Sequence, residues 1–210
     1  MRTLALFILF FIPFIEAHAQ EIAPLPGMQE AMADMVKGKF RARESSASPW
    51  NYEILVTASH IEAIIENEIC NNPEFDTKFV RKSTGQTVKW RQPEPLEDVE
   101  LHGKLTILNE NRTMSMVVDI KSLGKALRNT VVYHNGKQLT YLWLGSGKVI
   151  KGMSGGPVIA INDGAILGII VGKPAPGLKK YSVEEAKYQD LNFFVPYSTV
   201  KEVWEECIKK

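Results

Sequence analysis

Gly152-Met153-Ser154-Gly155-Gly156-Pro157 sets one hydroxyl among three glycines, between the apolar runs 139–150 and 158–161. Glycine is used where the backbone takes positive φ or where another group approaches it closely. A tight loop of this composition turns backbone N–H groups toward one point, where they can hold a developing oxyanion beside the serine hydroxyl. The same six residues also suit a Gly-rich turn with an incidental serine. A serine becomes a nucleophile only beside a base, and histidine is the usual one. Ile54-Leu55-Val56-Thr57-Ala58-Ser59-His60 is an apolar strand that narrows to small residues and then delivers such a histidine. Acidic residues lie between His60 and Ser154, and the order His, Asp, Ser is one of the known orders of a catalytic triad.

The stretch TASH ending at His60, followed by GMSGGP around Ser154, resembles the chymotrypsin-fold (trypsin-like) serine proteases. The likeness runs from about Val56 to Val200 and is closer to bacterial and viral members, of HtrA-like pattern, than to digestive ones. It implies Ser154 as nucleophile, His60 as general base, and the N–H groups of Gly152 and Ser154 as oxyanion hole. The third member must be a carboxylate that fixes the imidazole tautomer. Asp76, in Asn72-Pro73-Glu74-Phe75-Asp76-Thr77-Lys78-Phe79-Val80, matches the family's aspartate before an apolar strand. Its interval from His60 is shorter than is usual there. Asp98 is the alternative and Glu74 a weaker one, and Asp76 also fits a plain turn residue after Asn-Pro. His102 and His134 read as strand and hairpin residues rather than bases.

Gly152-x-Ser154-x-Gly156 also matches the nucleophile elbow of α/β-hydrolases, whose histidine follows the serine. The last histidine here is His134, so that reading fails. Digestive family members carry an aspartate at the position of Met153, which pairs with a newly cut N-terminus. Methionine cannot form that ion pair, so activation of that kind is not expected. By the same resemblance the substrate side chain is received by the segment before the loop, Leu144 to Lys148, and by Val171-Gly172-Lys173. Lys148 or Lys173 would favour acidic side chains if either points inward. A lysine more often keeps its ammonium in water.

These residues need elements to hold them. Short runs at 37–44, 52–56, 101–108, 114–120, 131–133, 139–144, 158–161, 165–171 and 192–196 read as strands, with Asn135-Gly136 and Asn162-Asp163-Gly164 as hairpin signals. Ser45-Ser46-Ala47-Ser48-Pro49 reads as a turn, and 28–36 and 61–68 as short helical pieces. Short strands without long helices predict an all-β fold rather than an α/β sheet. With the resemblance, the expectation is two antiparallel six-stranded-type β-barrels (chymotrypsin-like) with a C-terminal α-helix. The first barrel and an N-terminal arm take 20–97, and the second barrel and helix take 98–210. Thr199 and Glu202 suggest a capping box, followed by an apolar face of Val200, Val203, Trp204, Cys207 and Ile208. The polar connection 174–190 suggests a flap. The chain stops after this helix, so no PDZ domain is expected.

Residues 1–19 read as a signal peptide: Arg2, an apolar run from Leu4 to Ile15, and Ala17-His18-Ala19 before a cleavage point. The run is short for a membrane span. The mature chain would begin at Gln20 and be exported, periplasmic or secreted, with no stable membrane insertion. Cys70 and Cys207 would then meet in an oxidising compartment, either bonded to each other or as free thiols. With 210 residues and a net charge of +1, the chain shows no basic stripe for nucleic acid. There is no zinc-type cysteine–histidine spacing, and neither a metal nor an organic cofactor is implied. The expectation is an exported serine endopeptidase acting on protein or peptide substrates. A catalytically silent double-barrel binding module, and a protease that cleaves only its own chain, remain as alternatives.

Overall fold

A computed structural model describes residues 41–44, 46–61, 67–108, 115–134, 137–174, 187, 188 and 190–209. The expected signal peptide, the piece at 28–36, residues 62–66 of the piece at 61–68, and most of the proposed flap lie outside the described residues; Glu68, expected to end that helical piece, instead opens a strand. Among the described residues there are eleven strands and one helix: β1 (Arg41–Glu44), β2 (Ser48–Pro49), β3 (Ile54–Thr57), β4 (Glu68–Asn72), β5 (Thr77–Arg81), β6 (Glu97–Leu108), β7 (Ser115–His134), β8 (Lys137–Gly145), β9 (Pro157–Ala160), β10 (Ile166–Gly172), β11 (Asn192–Pro196) and α1 (Tyr197–Cys207). The all-β architecture with a C-terminal helix stands.

The larger sheet runs β1-β6-β7-β8-β11-β10-β9, and β9 pairs again with β6. The six strands from β6 to β9 therefore close into a barrel, which removes their free edges. The smaller sheet, order β2-β3-β5-β4, has four strands among the described residues, where six were expected. β1 belongs to the larger sheet, pairing with β6 from Arg41↔Leu108 to Glu44↔Leu105. Two expected strands, 114–120 and 131–133, are one continuous strand, β7, whose first half pairs with β6 and second half with β8. Register shifts between Ala126 and Arg128 and between Thr130 and Val132 bend β7 as it changes partner.

Two apolar clusters follow from strand alternation. One fills the barrel: Val99, Leu101, Met153, Val158, Leu167 and Phe194 are all 1% exposed or less. The other joins barrel, small sheet and helix through residues such as Val56, Phe79, Ile169, Val195, Val200 and Val203. Adjacent residues Phe194 and Val195 serve opposite clusters, as the two-residue period of a strand requires. Trp50 fills the seam, in ring contact with Phe79, Trp90 and Trp204.

The helix starts at Tyr197, with Pro196 as N-cap and no side-chain cap. Thr199 is thus inside the first turn, and the expected capping box does not form. Val200 and Val203 are buried as expected, while Ile208 lies past the helix and is exposed. Cys70 on β4 and Cys207 at the helix end are bonded, with Cα atoms 5.8 Å apart. Their separation of 137 residues makes this a long-range crosslink. In the chain-entropy description such a loop contributes about 5 kcal/mol at most, and measured values run about 2–4 kcal/mol. Replacing both cysteines by alanine is expected to lower unfolding free energy by that amount, read from urea midpoints at unchanged slope.

Candidate active site

β3 and β5 are antiparallel with Thr57 opposite Lys78. Three residues beyond Thr57 comes His60, and two residues before Lys78 comes Asp76, so the register brings both to the same end of the sheet. The turn from β4 to β5 is built by Asn72, whose Oδ1 accepts the N–H groups of Glu74 (3.1 Å) and Phe75 (3.2 Å). Asp76 then adopts φ 46°, a left-handed conformation that aspartate tolerates better than most residues. The result is a double contact. The His60 backbone N–H donates to Asp76 Oδ1 (3.0 Å), and Nδ1 lies 2.8 Å from Oδ2. An ionised carboxylate only accepts, so Nδ1 carries the proton and Nε2 keeps its lone pair.

The short interval of sixteen residues between His60 and Asp76 is a consequence of this tight hairpin. Asp98 lies on β6 with Lys125 Nζ at 2.6 Å from its Oδ1. Glu74 sits in the Asn72 turn. His102 Nε2 pairs with Glu100 (2.6 Å) on β6. Of these carboxylates, Asp76 is the one bonded to His60. The hydrogen bond to Asp76 raises the imidazole pKa above 6.5; partial burial and the Lys78 charge pull the other way. Phe75, beside Asp76, packs edge-on against Tyr141 of the barrel at 5.1 Å. Burial, aided by the charges of Asp76 and Glu74, pushes the Tyr141 phenol up to about 12.

The Ser154 loop lies between β8 and β9. Gly152 (φ 99°) and Gly155 (φ 82°) take the positive angles that the glycine spacing anticipates. Hydroxyl groups on β2 and in the segment just before it hold this loop. Ser46 Oγ donates to Gly152 O (2.6 Å) and accepts from Lys104 N–H (2.7 Å). Ser48 Oγ donates to Gly155 O (2.9 Å), and Ser46 N–H to Ser154 O (3.1 Å). Thr57 Oγ1 donates to Ser46 O (2.7 Å), coupling this clamp to the strand that carries His60. A Cβ on Gly155 would overlap Thr57 Oγ1 and Ser46 O and press on Ala58 N. The loop is therefore in direct contact with the segment Thr57–Ala58 that leads into His60.

Ser46 and Ser48 were read from sequence as a turn. Ser48–Pro49 is instead a strand, and both hydroxyls are buried against the loop. Nothing local marks them, because their partners lie more than a hundred residues away. Met153 is fully buried, its Sδ accepts from Ile150 N–H (3.4 Å), and its side chain abuts Gly103. Met153 is thus an apolar anchor of the loop.

Among the described residues no acceptor engages the N–H groups of Gly152 and Ser154; the neighbouring N–H groups of Met153, Gly155 and Gly156 go to Ile150, Ile170 and Met153. Ile170 N–H in turn donates to Gly156 O (2.9 Å), so the end of β10 lies directly against the loop. Val171 and Gly172 follow, half-buried, beyond a register shift, and a Cβ on Gly172 would meet open space. Lys148 and Lys173 are exposed, and neither side chain bonds to a described residue of the site. Among the described residues no group of histidine, cysteine and acidic side chains could hold a metal ion.

No sequence-family model and no curated protein matches the chain. Solved structures do. The HtrA-type protease AlgW, determined with a decapeptide, aligns with TM-score 0.56 and 14% identity over 79% of this chain and 51% of its own. The chain thus spans about half the length of AlgW. The inactive form of the M. tuberculosis protease Rv3671c aligns with TM-score 0.56 and 13% identity over 88% and 96%. The protease domain of MamO from Magnetospirillum magneticum aligns with TM-score 0.51 and 13% identity over 78% and 93%. At these identities the likeness establishes the fold: the chain has the chymotrypsin-type fold of these protease domains.

Proposed function

We propose that the chain is an exported serine endopeptidase that hydrolyses peptide bonds through Ser154, His60 and Asp76. The observation that carries this reading is the hairpin-borne Asp76 gripping His60 at the end of the strand against which the Ser154 loop is clamped. In the proposed reaction Ser154 Oγ attacks the scissile carbonyl while His60 Nε2 takes its proton. Asp76 holds the imidazole in the required tautomer and stabilises the imidazolium. The N–H groups of Gly152 and Ser154 receive the negative charge that develops on the carbonyl oxygen. His60 then returns the proton to the leaving amine, and water releases the acyl group by the same steps.

Peptide would lie along the end of β10 at Val171, Gly172 and Lys173, extending the sheet by one strand. Gly172 leaves that edge clear of side chain. Lys148 and Lys173 are the candidates for a preference toward acidic side chains. The Cys70–Cys207 bond is consistent with export to an oxidising compartment, and among the described residues no helix is long and apolar enough to cross a membrane.

The test uses protein recovered from the exported fraction, with its N-terminus sequenced and expected at Gln20. Fluorophosphonate is expected to label the wild type and not Ser154→Ala, and wild type alone should turn over added peptide. A folded wild type that does not label would exclude the endopeptidase and leave a binding module. Labelling with a single self-cleavage and no turnover would indicate a protease confined to its own chain.

A further inference from the structure

Lys78 is the outlier of the small sheet. It sits on β5 among Thr77, Phe79 and Val80, and its side chain is 3% exposed. Lysines ordinarily extend their ammonium to water, and enclosing one forfeits much of its hydration. A methionine or leucine would pack in such a strand without that loss. Among the described residues the ammonium makes one short bond, to the carbonyl oxygen of Ile61 at 2.6 Å. Its nearest described carboxylate, Glu68 on β4, is at 4.0 Å.

Ile61 is the residue after His60, and its own N–H donates to Ala58 O (3.2 Å), closing a turn over 58–61. His60 is therefore held on both sides from the β4–β5 hairpin. Asp76 takes its backbone N–H and its Nδ1, and Lys78 takes the next carbonyl. We propose that Lys78 is a positioning residue for the His60–Asp76 pair, fixing the backbone that presents the imidazole and setting a buried positive charge beside it. The proposal rests on the reading of His60 as the base. Among the described residues, Asp76 and Lys78 are the charged groups that bear on His60, with opposite sign, and Glu68 is the carboxylate beside Lys78. Rate depends steeply on such placement, since a displacement of about 1 Å can cost a factor of about 100.

Lys78→Met keeps chain length and bulk while removing donor and charge. Its expected signature is a fall in kcat/KM of about 10- to 100-fold with KM little changed. The His60 titration, followed by NMR of the imidazole, should move to higher pH, and Tm should fall, because the buried Ile61 carbonyl loses its donor. Glu68→Gln, which strips Lys78 of its counter-charge, should move that titration the other way. Lys78→Met with wild-type kcat/KM and wild-type titration would overturn the proposal and leave Lys78 a packing residue. Should Lys78→Met fail to fold, Glu68→Gln decides, and an unmoved titration would overturn it. The titration needs no turnover. If wild type neither labels nor hydrolyses, the endopeptidase reading fails, while a shifted His60 titration would still support the positioning role.

Discussion

Asp76→Asn is expected to lower kcat by about four orders of magnitude while leaving the fold intact. The substitution is nearly isosteric, and an asparagine Oδ1 can still accept the His60 backbone N–H that Asp76 Oδ1 accepts at 3.0 Å. What changes is the atom facing Nδ1, now 2.8 Å from a carboxylate oxygen. An amide N–H there makes Nδ1 the acceptor, so the proton moves to Nε2 and the base is lost. The pH profile should change with it. Asp76 raises the His60 pKa above 6.5, so wild-type kcat/KM should climb with pH through an apparent pKa above that value. In Asp76→Asn that limb should fall to lower pH. The stability sign is opposite. A base with a raised folded pKa contributes stability that is full below 6.5 and lost as pH rises through the folded value. The pH range that frees the base for catalysis is the range in which its pairing stabilises least. Steady-state kinetics and thermal melts from pH 5 to 9 on both proteins check both signs. An Asp76→Asn enzyme of wild-type rate would remove Asp76 from the mechanism, and Asp98, held by Lys125, would need a rearrangement to replace it.

Gly155→Ala is expected to destabilise the protein by about 2–6 kcal/mol and to abolish fluorophosphonate labelling. Two effects add. At φ 82° a side chain brings backbone strain of about 1–3 kcal/mol. The new Cβ also overlaps Thr57 Oγ1 and Ser46 O, and overpacking of a buried contact costs about 1–3 kcal/mol more. Those atoms belong to the clamp that joins the Ser154 loop to the His60 strand, so relief of the overlap shifts that loop away from the strand leading to His60. Gly164→Ala isolates the first effect, since Gly164 has φ 68° with no atom within 4 Å of the built Cβ. It should lose only about 1 kcal/mol and keep full labelling. Urea midpoints and labelling rates for the pair separate strain from collision. Equal destabilisation of the two variants would mean that the clamp contact is not what requires glycine at position 155.

The local content of the chain was legible residue by residue. Glycines at 152 and 155 imply a loop with positive φ, and both take it. The run 192–196 read as a strand and is one, with Phe194 and Val195 on opposite faces in different clusters. The TASH segment marked a histidine at a strand end. These features depend on backbone sterics and on a two-residue period, which a few neighbouring residues suffice to express.

The partners were decided elsewhere. Sequence left Asp76 and Asp98 both open beside His60, and the β3–β5 register with the Asn72 turn brought Asp76 to the imidazole. Ser46 and Ser48 looked like turn residues until closure of the chain set them against Gly152 and Gly155. Nothing in the sequence singles out Lys78, and only the folded chain encloses its ammonium with the Ile61 carbonyl. A buried hydroxyl or ammonium is defined by what lies opposite it, and across a loop of a hundred residues no local pattern carries that information.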